Sequence, residues 1–129
     1  MNFKIFITAS LAAIPFPALA LEANSHKRAA AIRTADAAVT TYVSALAQCE
    51  STMKQGFGGL WIMHRDIAIA SLRELHQDSD AGLQQYNGIY QSELETGNSI
   101  SDLSKCPEVL EKMMQEVAVA ESKLRATHH

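Results

Sequence analysis

The sequence predicts an all-α domain, a small four-helix bundle in which the first and last helices form a long antiparallel pair holding an inserted helical hairpin. Three observations predict it. Apolar residues recur at alternating three- and four-residue steps along two long stretches, which is the seam of a helix packed on another helix. No segment shows the strict alternation of a strand. The only two cysteines, Cys49 and Cys106, fall late in the first stretch and at the opening of the last.

The first twenty residues read as an export signal. Lys4 is followed by an almost unbroken apolar run from Ile5 to Ile14. Pro15 and Pro17 then interrupt the helix before Ala18-Leu19-Ala20, whose small side chains suit signal peptidase. Cleavage after Ala20 is expected, giving a leader over 1–20 and one domain over 21–129. The apolar run is too short to span a bilayer, so no membrane insertion is expected after cleavage.

The expected first helix runs from Ser25, as N-cap, to Gln55. Ile32, Ala35, Val39, Tyr42, Leu46, Cys49 and Met53 form its seam, Gly56 is a candidate left-handed cap, and Phe57 can fold back on the last turn. The second, Leu60 to His76, places Leu60, His64, Ile67, Ala68, Ser71, Leu72 and Leu75 on one side. The third, Asp80 to Glu95, uses Leu83, Tyr86, Tyr90 and Leu94; Gly82 and Gly88 each weaken it by about 1 kcal/mol relative to alanine. Gly97 and Asn98 end it. Pro107 suits the first turn of the last helix, whose seam is Leu110, Met113, Val117, Ala120 and Leu124.

The two long seams agree in register. If Cys49 bonds Cys106 in an antiparallel pair, Leu46 meets Leu110, Tyr42 meets Met113, Val39 meets Val117, Ala35 meets Ala120 and Ile32 meets Leu124. One register satisfies the bridge and every apolar pair. In an oxidising compartment two cysteines in a short exported chain are read as one disulfide.

Catalytic chemistry has no clear carrier. Eleven Lys and Arg stand against 14 Asp and Glu, so loss of Lys4 takes the net charge from −3 to −4. That balance argues against nucleic acid or anionic lipid as partner. Carboxylates sit beside the seams in pairs such as Glu50 with Lys54, Glu108 with Lys112 and Glu121 with Arg125, the pattern of solvated helix faces. The spacing Gly56-Phe57-Gly58-Gly59 lacks the Gly-Lys-Ser/Thr of a phosphate loop, and Asp78-Ser79-Asp80 lacks the rest of a calcium loop. The terminal pair His128 and His129 has no fixed geometry. No enzyme, no cofactor and no metal are expected. The alternative is a haem- or metal-binding bundle using His64 and a methionine among Met53, Met63, Met113 and Met114.

Every aromatic residue after the leader except Tyr42 lies in the hairpin region. Aromatics are enriched at binding hot spots. Phe57, Trp61, Tyr86 and Tyr90, rimmed by Asp78 and Asp80, are therefore the candidate partner-binding residues. In the placing of Cys49 and Cys106 the chain resembles small helical periplasmic immunity proteins of cell-wall amidase effectors, and its single bridge is similar to that of acid-protective periplasmic chaperones. A small stapled scaffold without catalytic or cofactor signatures is expected to be an exported, non-enzymatic binding protein of the periplasm, of inhibitor, immunity or accessory/chaperone type, that contacts another protein.

Overall fold

The computed structural model describes residues 16–97, 100 and 102–127, with side chains from Ser25 onward within the first helix. The apolar run of the leader, Asn98 and the terminal histidines lie outside the described residues. Four helices follow in order: α1 (Phe16–Gly56), α2 (Gly58–His76), α3 (Ser79–Thr96) and α4 (Cys106–Ala126), the last preceded by a 3-10 turn at Leu103–Lys105. Among the described residues there is no strand, and no helix is long and apolar enough to cross a membrane.

α1 is the central element. It packs most extensively on α4 and also on α2 and α3, while α2 and α3 lie against each other as a hairpin. The disulfide closes the frame with Cα atoms of Cys49 and Cys106 5.8 Å apart. Ala35, Val39, Tyr42, Leu46 and Met53 of α1 and Leu110, Val117 and Ala120 of α4 are all buried, with Met113 half-buried. The disulfide and the burial of these seam residues agree with the antiparallel register expected from the sequence. At its far end Ile32 and Leu124 line a common cavity, and Ile32 stays partly exposed because the bundle thins there.

Three helix ends differ from expectation. Ser25 caps nothing, because α1 already runs from Phe16; a proline at position 17 falls in the first turn, where its missing N–H needs no acceptor. Gly56 remains helical, and among the described residues the left-handed ones are Gln77 and Gly97. A single residue, Phe57, connects α1 to α2: its N–H donates to the Met53 carbonyl at 2.6 Å, and its carbonyl accepts from Trp61 N–H at 2.9 Å. Helical hydrogen bonding therefore continues on both sides of the turn, and Phe57 swings outward instead of folding back.

Gly82 has a role that propensity hides. A Cβ there would lie 2.5 Å from the Arg73 backbone nitrogen and 2.6 Å from its Cα. The first turns of α3 thus approach the α2 backbone more closely than any side chain permits. Gly88 faces open space.

Candidate functional site

Among the described residues one histidine is buried. His64 is fully buried on α2, and its Nδ1 shares a 2.5 Å hydrogen bond with the Tyr42 hydroxyl from α1. Burial holds the imidazole below its ordinary pKa, opposed by the charge of Glu111 on α4. Burial likewise drives the Tyr42 phenol well above the usual tyrosine range. Both groups are therefore neutral at pH 7. His64 Nε2 has no hydrogen-bond partner. Of the methionines weighed with it, Met53 is fully buried, Met113 and Met114 are half-buried and Met63 is exposed. No group of three or more His, Cys, Asp or Glu side chains converges among the described residues.

Beside this pair lies an aromatic cluster. Trp61 and Tyr90 meet edge to face with ring centres 6.4 Å apart, and Tyr86 stacks on Tyr90 at 5.6 Å. The indole N–H donates to the Leu46 carbonyl at 3.3 Å. Lys54 and Arg65 lie over the indole ring, at 4.7 and 5.7 Å from its centre. Desolvation pushes the Tyr86 phenol up to about 12. The Tyr90 hydroxyl lies beside Glu50 and, with Lys54 3.2 Å away, holds that carboxyl below its usual range. The contact falls short of full hydrogen-bond geometry, which leaves Tyr90 Oη the second buried polar atom without a partner.

The six candidate partner-binding residues do not share one surface. Trp61, Tyr86 and Tyr90 belong to the core, Trp61 being only 4% exposed. Their apolar bodies serve the packing of α2 and α3 on α1, so they offer no accessible anchor. Phe57 stands apart at 49% exposure on the α1–α2 connection. Asp78 and Asp80 sit at the other end of the hairpin, roughly 27 Å away for a helix of this length at 1.5 Å per residue. There the Asp78 carboxylate accepts from the backbone N–H groups of Asp80 at 2.9 Å and Ala81 at 3.1 Å, capping α3.

Two other exposed apolar side chains at the end of the bundle that carries Phe57 were missed. Leu94, expected on the α3 seam, is 44% exposed in the last turn of that helix, and Leu103 is 41% exposed in the 3-10 turn. The ends of α1 and α3 and the starts of α2 and α4 converge on the disulfide, so Phe57, Leu94 and Leu103 all belong to that end of the bundle. Leu94 carries the three- and four-residue spacing of a core position, and spacing alone does not say where a helix outruns its neighbours.

Hollows also mark the surface. At the end opposite the disulfide, a cavity of about 100 Å³ is lined by Arg28 and Ile32 of α1, Glu74 of α2, and Glu121, Leu124 and Arg125 of α4. Glu121 is half-buried there, and desolvation, reinforced by Glu74, raises its pKa. Another is a broad open groove between α1 and α4. Comparison with protein-family models, with characterised proteins and with solved structures gives no match for this chain.

Proposed function

We propose that the protein is an exported, non-enzymatic binding protein of the periplasm that acts through contacts with another protein. The observation that carries this reading is the exposure of Phe57, Leu94 and Leu103, all at the disulfide-closed end of the bundle. Large apolar side chains held out on a rigid frame enter a partner interface at little cost in conformational entropy. The leader-like first twenty residues and the disulfide support an oxidising compartment. Inhibitor, immunity and accessory subunits all work in this way.

The test is a pull-down from native envelope extract with the disulfide-bonded protein, followed by calorimetry with the partner recovered. Replacing Phe57 with alanine is expected to weaken binding by about 2 kcal/mol or more while helical content stays unchanged. Full affinity in Phe57→Ala would remove the disulfide end from the interface. The alternative reading, haem or metal held through His64 and a methionine, is checked in the same preparation by its visible spectrum and metal content.

A further inference from the structure

The groove between α1 and α4 has a self-complementary pattern. Thr34 and Ala38 of α1 and Val119 and Ala120 of α4 form its apolar part; Val119 is 54% exposed, the most of any large apolar side chain in the described structure. Lys112, Glu116 and Lys123 add charge along α4. The bond between Cys49 and Cys106 fixes the heights of the two helices, and Ala35 and Ala120 stand an equal count of residues from their cysteines. The level of Val119 and Ala120 on α4 is therefore the level of Ala35 and Asp36 on α1.

A two-fold axis at that level, perpendicular to both helices, lays each helix antiparallel on its own copy. On α4 it brings the exposed Val119 of each copy beside the axis and sets Glu116 against Lys123 of the second copy, so an opposite-charge pair forms twice. On α1 it sets Thr34 against Ala37 and Ala30 against Thr41. All four are small, and all four are exposed. The Thr34 hydroxyl donates back to the Ala30 carbonyl at 3.1 Å, and that of Thr41 to the Ala37 carbonyl at 3.0 Å. Each threonine thereby satisfies its hydroxyl within its own helix and is free to present its methyl group to a neighbour. Charge pairing on α4 and small-residue matching on α1 thus share one axis height, although they lie on different helices.

We infer that the outer face of α1 and α4 binds a second copy of this chain in an isologous, antiparallel dimer. The two disulfide ends then point in opposite directions, roughly 40 Å apart along the helix axis at 1.5 Å per residue. The dimer face is remote from Phe57, so each copy keeps its disulfide end free, and loss of the dimer leaves that end unchanged.

Sedimentation of the disulfide-bonded protein over a range of concentrations is expected to show a monomer–dimer equilibrium. Glu116→Lys and Lys123→Glu each set like charges together at both symmetry-related contacts and should weaken the dimer by about tenfold or more, with recovery in the double charge swap. Both residues are exposed, so circular dichroism should be unchanged in all three variants. A zero-length carbodiimide crosslink in a mixture of isotope-labelled and unlabelled wild-type protein should join Glu116 of one copy to Lys123 of the other. A monomer at every concentration, a dimer indifferent to the single swaps, or a double swap weaker than either single would overturn the inference.

Discussion

At the scale of single residues, His64 and Gln77 carry the clearest consequences. Burial lowers the His64 pKa beneath its ordinary 6.5, so the unfolded chain takes up the proton more readily than the folded one. His64 costs no stability above that value and increasingly favours unfolding as the pH falls through 6.5 toward the folded pKa. Glu121 acts in the opposite sense. Its pKa is raised from 4.5, so the stability it contributes is complete below that value and is lost as the pH rises through the folded one. Thermal midpoints measured between about pH 7.5 and 5.5 should decline toward acid, and His64→Gln should flatten that decline whatever its effect at neutral pH. A slope unaltered in the variant would assign the acid sensitivity to other groups. Gln77 holds a left-handed φ of 53° at the C-terminal end of α2, the one non-glycine residue to do so among those described. Its N–H still donates to the Glu74 carbonyl at 3.2 Å, so the cap is formed in spite of the side chain. Gln77→Gly keeps that bond and removes the Cβ clash, and chemical denaturation should show a gain of about 0.5–1 kcal/mol.

At the scale of elements, α3 shows how one residue type takes opposite roles along one helix. Helix propensity treats Gly82 and Gly88 alike, and the sequence alone gives no reason to separate them. Gly82 lies against the Arg73 backbone, whereas Gly88 faces solvent. A Cβ at 82 would require the whole hairpin to open, because backbone atoms cannot rotate aside. Gly82→Ala should therefore destabilise by about 2 kcal/mol, and Gly88→Ala should stabilise by about 1 kcal/mol. Urea titrations of the two variants check this directly; equal shifts would mean that α3 and α2 do not approach so closely. The same contrast marks the limit of what was legible in the hairpin. Periodicity placed His64, Ser71, Tyr86 and Tyr90 on the apolar faces of α2 and α3, all four buried, without telling a core role of the two tyrosines from the binding role expected of them. It does not show whether an aromatic outside the pattern finds a partner. Trp61 does, through the Leu46 carbonyl, and a backbone acceptor leaves no trace in a sequence.

At the scale of the molecule, the frame was legible and the exposed ends were not. In the sequence two cysteines and an apolar pattern agree in one register for α1 and α4, and the disulfide together with the burial of Ala35, Val39, Tyr42, Leu46, Leu110, Val117 and Ala120 fits it. The surface around Phe57 depends instead on where each helix stops, which is set by local turns such as the single-residue connection after Gly56. The disulfide is what makes the frame one cooperative object. It joins cysteines 57 residues apart, so in the unfolded chain it closes a loop that spans the whole hairpin. Closing such a loop lowers the entropy of the unfolded state by an amount worth about 4 kcal/mol of folded stability. Both cysteines are fully buried at the α1–α4 contact, so the paired thiols can occupy nearly the same space after reduction. The effect of reduction should accordingly appear in the unfolded state more than in the folded one. Urea unfolding with reductant is expected to show a lower midpoint, a loss of about 4 kcal/mol, and a steeper dependence on urea, because the opened chain exposes more surface. Helical content before the transition should be the same with and without reductant. A midpoint that does not move would show that packing of α1 on α4 holds the frame without the bridge, and an early loss of helix would place its effect in the folded state.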